Sequence, residues 1–151
     1  MRTVKDILQS KPKAFNNIAP SATVLDALNQ LNSVNLSYLI VMDGDDYKGV
    51  FCERDYSRNV ILKGRASNST MVKDVMTIDL PVVELTDTAE TCMKMMDTHK
   101  TRYLLALDDR KFAGIITIHD LLRQVITNKE AVFDNGLAAK LIDREESGKV
   151  Y

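Results

Sequence analysis

Apolar and polar positions along this chain are laid down twice. The stretch GVFCERDYSRNVI from Gly49 to Ile61 returns as GIITIHDLLRQVI from Gly114 to Ile126, an offset of 65 (114 − 49). Gly, Asp, Arg, Val and Ile coincide at 49/114, 55/120, 58/123, 60/125 and 61/126. Self-similarity at a fixed offset marks an internal repeat. Each copy reads as a glycine entering a short apolar strand, a small polar or thiol residue, an Asp at a helix start, and an apolar helix face. Backbone N–H groups at such a start lack intrahelical partners and the helix dipole is positive there, so the corner suits a phosphate or a sugar.

The rest of each half follows the same order. VKDIL at residues 4 to 8 and VKDVM at 72 to 76 predict short helices that precede each repeat and deliver its first strand, with about three extra residues in the first copy near Gln9 to Lys13. Ile18 and the pair Val82 and Val83 are the apolar remains of those strands, bounded by Pro20 and Pro81. Helices are expected from near Thr23 and Thr88, each with a hydroxyl in the N-cap position. Val24, Leu25, Leu28 and Leu31 recur at helical spacing, as do Ala89, Cys92, Met93 and Met96, and both sets read as core stripes. Tyr38 to Met42 and Tyr103 to Leu107 suit buried strands. Acidic turns then lead into the Gly49 and Gly114 strands, predicting hairpins. The class is α/β (α+β), each half being strand, helix, strand, strand, helix. The boundaries drawn are 1–66 and 67–128 for the repeats and 129–151 for a C-terminal tail, with one more helix around Leu137 to Arg144.

Composition narrows the function. Of 151 residues, 45% are hydrophobic and 27% charged, which excludes a disordered chain. Units of roughly 60 residues are marginal alone, so two halves packed face to face are expected. A net charge of −1 provides no global attraction to nucleic acid or an anionic membrane, and a charged ligand requires a local cluster. The apolar runs fall short of the roughly 18 residues that span a bilayer, and MRTVKDILQ lacks a signal-peptide core. A cytoplasmic protein is expected. Cys52 and Cys92 lack metal-ligand spacing and read as reduced thiols. Two histidines and scattered acids assemble no nucleophilic triad, metal cluster or carboxylate pair, so neither an enzyme nor a catalytic cofactor is expected.

Two G-x-x-[small polar]-x-x-D segments at constant offset, each preceded by a VKD segment and the same order of elements, resemble the cystathionine-β-synthase (CBS) domain pair over roughly residues 1 to 128. The run ERDYSRNVILKGR is similar to the small stand-alone bacterial members of that family. The resemblance implies a pseudo-twofold pair of repeats whose clefts bind adenine nucleotides such as AMP, ADP, ATP or NAD as regulatory ligands. It further implies clefts walled by both halves. The Asp120 cleft then uses Thr117 and Ile115 with Lys11, Asn16, Leu36, Ser37 and Tyr38; the Asp55 cleft uses Cys52 and Val50 with Thr77, Pro81, Thr101, Arg102 and Tyr103.

The chemistry of these side chains agrees with that assignment. One carboxylate can accept from both ribose hydroxyls, which makes Asp55 and Asp120 sensible ribose anchors, although an Asp at a helix start also serves simply as a cap. Thr117 offers a hydroxyl; Cys52, where the family has Thr or Ser, offers a weaker partner. Arg54 and His119 each precede an Asp and direct cationic or proton-switchable groups toward phosphate. Arg54 and Arg58, with Lys63, Arg65 and Arg102 near, lead to the expectation that the Asp55 cleft favours more phosphate charge and the Asp120 cleft a monophosphate or nucleoside. The leading expectation is a regulatory sensor module. It forms a homodimer through the apolar helices after Asp55 and Asp120 and acts on an effector protein the sequence does not identify, with no nucleic acid or membrane partner. The alternative is a structural dimerisation module with empty clefts.

Overall fold

Thr3 opens the first helix of the protein, seen here in a computed structural model that describes residues 2–12, 16–34 and 36–127. Its hydroxyl accepts the Asp6 N–H at 3.3 Å while the Asp6 carboxylate accepts the Thr3 N–H at 3.0 Å, so α1 (Val4–Ser10) begins with a reciprocal cap. There follow β1 (Asn17–Ile18), α2 (Val24–Val34), β2 (Tyr38–Asp43) and β3 (Asp46–Cys52), which runs directly into α3 (Glu53–Tyr56). The second half repeats the order with β4 (Val82–Glu84), α4 (Ala89–His99), β5 (Tyr103–Asp108), β6 (Lys111–Thr117) and α5 (Ile118–Thr127). The helix expected around Leu137 to Arg144, and the tail that contains it, lie outside the described residues.

Each half builds a three-stranded sheet, β1-β2-β3 and β4-β5-β6, in which the first pair is parallel and the second antiparallel. Both hairpins shift register at the equivalent place, between Val41 and Met42 and between Ala106 and Leu107. Such a bulge bends the strand just ahead of its glycine. Thr23 and Thr88 cap α2 and α4, accepting the N–H groups of Asp26 and Thr91 at 3.1 Å in both cases.

Two details depart from the sequence reading. VKDVM forms only a 3-10 turn at Val72–Asp74, because Met71 stands where Thr3 stands before α1 and makes no side-chain cap. The helix begun by α3 continues as a π-helix over Ser57–Ile61, where Leu62 N–H reaches Ser57 O at 3.2 Å and Arg65 N–H reaches Val60 O at 2.9 Å. These wider turns have no counterpart in α5.

The packing units do not follow the sequence halves. One contains residues up to Pro12 together with the chain from Leu80; the other is Lys13–Asp79. Val4 and Ile7 of α1 are buried with Val83, Met93, Met96, Leu104, Ile116 and Leu121 of the second half. Val72 and Val75 are buried with Val24, Leu31, Leu39, Val41, Phe51 and Val60 of the first. Each leading segment therefore packs on the repeat it does not precede. The glycines register this exchange: a Cβ on Gly49 would lie 2.6 Å from the Thr77 carbonyl oxygen, and one on Gly114 would lie 2.8 Å from Leu8 Cδ2. Val50 and Thr77 exchange both backbone hydrogen bonds, at 3.0 and 2.8 Å.

Candidate functional site

In the unit containing the second repeat, β6 ends at Thr117 and α5 begins at once, so Asp120 comes three positions after Thr117 in the first turn of the helix. Thr117 N–H donates to Asp120 Oδ2 at 2.8 Å, and Asp120 N–H donates to Thr117 Oγ1 at 3.1 Å. Both residues are buried. Asp120 thus does cap its helix, and it does more. Lys11 Nζ, just past the end of α1, lies 2.9 Å from Asp120 Oδ2 and donates to the Ile115 carbonyl at 2.8 Å. Arg123, one helical turn on, forms an ion pair with Asp120 Oδ1. A buried carboxylate held by an ammonium and a guanidinium is fixed in position, as a hydroxyl-binding anchor needs to be.

The equivalent corner of the other unit is built differently. Cys52 N–H donates to Asp55 Oδ2 at 3.0 Å, the Cys52 thiol lies 3.4 Å from the same oxygen, and Thr77 Oγ1 donates to Asp55 Oδ1 at 2.7 Å. Among the described residues no ion pair reaches Asp55. Burial pushes its pKa above the ordinary 3.8, against the hydrogen bonds from Thr77 and Cys52. Burial likewise pushes the Cys52 thiol up to about 12, the neighbouring Asp55 charge adding to it, so this sulfur is a protonated, unreactive thiol at neutral pH. Cys92, buried in the core of the other unit, is also raised to about 12 by burial.

Lys11 and Arg123 gather at Asp120. Arg102 is buried in the same unit as Asp120, with Nη2 3.4 Å from His119 Nε2 and its carbonyl accepting from Ile118 N–H at 2.9 Å. Arg65 Nη1 donates to the Asn59 carbonyl at 3.2 Å, and Arg58 is exposed. Arg54 is half-buried.

Of the predicted Asp120 cleft, the structure assembles Lys11, Ile115, Thr117 and Asp120 in one unit, while Asn16, Leu36, Ser37 and Tyr38 belong to the other. Leu36 and Ser37 line a hollow of about 380 Å³ with Leu28, Leu31, Asn32 and Glu53. Asn16 is buried and its carbonyl accepts from Ile40 N–H at 2.7 Å. Of the predicted Asp55 cleft, Val50, Cys52 and Thr77 join Asp55, whereas Pro81, Thr101, Arg102 and Tyr103 lie in the unit of Asp120. Arg2, Ser10 and Gln124, which line a cleft beside Asp120, were not singled out from the sequence. The i,i+3 spacing of Asp120 and Arg123 was the one local signal for the ion pair.

Among the described residues no three His, Cys, Asp or Glu side chains are grouped to hold a metal ion, and no helix is long and apolar enough to cross a membrane. The CBS domain family profile matches residues 4–61 and 72–127. A putative signal-transduction protein with CBS domains from Burkholderia ambifaria MC40-6 is 36% identical, with a TM-score of 0.76, over 85% of this chain and 96% of that one. CBSX2 in complex with AMP is 26% identical, with a TM-score of 0.67, over 86% of this chain and 100% of that chain. The mitochondrial CBS domain-containing protein CBSX3 of Arabidopsis thaliana is 29% identical over 133 residues; these make up 82% of this chain and 65% of that protein's length.

Proposed function

The chain belongs to the CBS domain family, and on that premise we propose that it is a regulatory module that binds an adenine nucleotide and passes the event to a partner protein. The observation that carries this reading is the Thr117–Asp120 corner. Its carboxylate is held by Lys11 and Arg123, at the position where a ribose needs an acceptor and a phosphate needs positive charge. The structure of the similar CBSX2 with AMP supports the ligand class. The walls named from the sequence, Asn16, Leu36, Ser37 and Tyr38 for Asp120 and Pro81, Thr101, Arg102 and Tyr103 for Asp55, complete the proposal. The module carries no reaction of its own and works as a homodimer in the cytoplasm.

A thermal-shift series with millimolar AMP, ADP, ATP and NAD tests it. A ligand present at 100 times its dissociation constant stabilises the folded state by about 2.7 kcal/mol, which raises the melting temperature by several degrees. A flat response to all four compounds favours the other reading, a dimerisation module with empty clefts.

A further inference from the structure

The two copies of the repeated stretch have the same length and close their helices differently. Ile118–Thr127 is an α-helix throughout, whereas the equivalent chain leaves the α register at Ser57, and the N–H groups of Leu62 and Arg65 each reach the carbonyl of the fifth residue back. A π turn holds one residue more than an α turn. The sequence supplies no extra residue, since the offset stays at 65 from Gly49 to Ile61, so the wider register is one of two closures open to a single chain length. Two side chains select it. Arg65 Nη1 donates at 3.2 Å to the Asn59 carbonyl, which an α turn pairs with the Lys63 N–H. Asn59 Nδ2 donates to the Val75 carbonyl at 3.1 Å and ties the helix to the segment that leads into Thr77. Thr77 in turn is fixed to Val50 by both backbone bonds and to Asp55 Oδ1 by its hydroxyl at 2.7 Å, while Asp55 Oδ2 is taken up by Cys52. Val60, Val72 and Val75 share one core cluster beneath this chain of contacts.

We propose that the helix after Asp55 is a two-register switch, clamped in the π form by Asn59 and Thr77 and released to the α form when a hydroxyl-bearing ligand takes Asp55 Oδ1 from Thr77. The inference rests on the nucleotide reading for its trigger alone. Every contact in it lies within the Lys13–Asp79 unit. Closing the π turns to α rotates the residues beyond them by about 100° around the helix axis. Gly64, at φ +69° in an exposed turn with open space around it, lets the chain absorb the change. Ile61 and Leu62, 56% and 77% exposed, lie where the rotation is felt. An event at a buried carboxylate is thereby displayed on an apolar surface patch, through an element with two discrete arrangements.

Scalar couplings across hydrogen bonds, measured by NMR, identify the carbonyl that each amide bonds and so read the register directly. In the ligand-free wild type the Leu62 amide couples to the Ser57 carbonyl. Asn59→Ala and Thr77→Val each move that coupling to the Arg58 carbonyl without any ligand, and Thr77→Ser, which keeps the hydroxyl, leaves it at Ser57. Asn59→Ala removes only a half-buried amide, so it decides alone where Thr77→Val does not fold. Saturating AMP makes the same move in the wild type. A Ser57 coupling retained in Asn59→Ala, or an Arg58 coupling in the ligand-free wild type, overturns the switch. AMP that shifts the Cys52 and Thr77 amide signals while the Leu62 coupling stays at Ser57 overturns the link to the ligand. If AMP, ADP, ATP and NAD all leave those amide signals in place, the nucleotide reading fails at this corner, and the coupling in Asn59→Ala still upholds or overturns the switch.

Discussion

Asp55 and Asp120 occupy the same place in two copies of one motif and have opposite surroundings. Lys11 and Arg123 compensate the Asp120 charge, whereas Asp55 is supplied with neutral donors only, from Cys52 and Thr77. The consequence for Asp55 is a pH effect of definite sign. Its folded-state pKa lies above the ordinary 3.8 because burial disfavours the charged form. The folded protein then binds this proton more tightly than the unfolded chain, so the contribution to stability is complete below pH 3.8 and is lost as pH rises through the folded value. Urea denaturation of the wild type and Asp55→Asn between pH 3.5 and 7 reads this out. The variant gains on the wild type as pH rises, with a slope of at most about 1.4 kcal/mol per pH unit; a constant difference across the range contradicts the account. Cys52 shows why the corner was only partly legible. Its substitution for a hydroxyl is visible in the sequence and the family resemblance places Thr77 in this cleft, but the bond from the Thr77 hydroxyl to the second carboxylate oxygen, 22 residues from Asp55, is made by packing.

At the scale of elements, the repeat predicts the order of strands and helices because each is set by contacts among near neighbours. Hydroxyl caps at Thr3, Thr23 and Thr88 start three helices, and the missing cap at Met71 leaves only a turn. The glycines at the start of the repeated stretch look equivalent in sequence and are not so in structure. A Cβ at Gly49 meets the Thr77 carbonyl, part of the backbone pairing with Val50, while one at Gly114 meets the end of the Leu8 side chain, which can turn aside. Gly49→Ala is therefore expected to cost about 1 to 3 kcal/mol, as overpacked sites do. At Gly114 the side chain can yield, but the backbone φ of +159° is one that a residue with a Cβ adopts only with strain, so Gly114→Ala also destabilises, for a different reason. Chemical denaturation of Gly49→Ala checks the clash, and a loss below about 0.5 kcal/mol would show that the Thr77 crossing yields.

At the scale of the whole molecule, self-association is the expected use of apolar surface left on the helices after each Asp. Ile61 is 56%, Leu62 77% and Ile126 78% exposed. We predict that sedimentation of the wild type gives a dimer. Leu62→Glu or Ile126→Glu should raise its dissociation constant at least tenfold, about 1.4 kcal/mol, with monomer stability changed by no more than about 0.5 kcal/mol. A wild-type mass of one chain at all concentrations removes the prediction. What the sequence determined by itself was whatever is written locally: the repeat at an offset of 65, the core stripes, the hairpins, the capped helices and the Asp at each strand-to-helix corner. What the tertiary structure decided was which distant segments meet. VKDIL and VKDVM are spelled alike, and nothing in either states that each will bury its valines in the repeat it does not precede. Lys11 and Asp120 are 109 residues apart (120 − 11), and their ion pair exists only because α1 crosses to the second repeat. Periodicity records the face an element buries; the identity of the surface that covers it is settled by packing over the whole chain, and the charge at each corner follows from that choice.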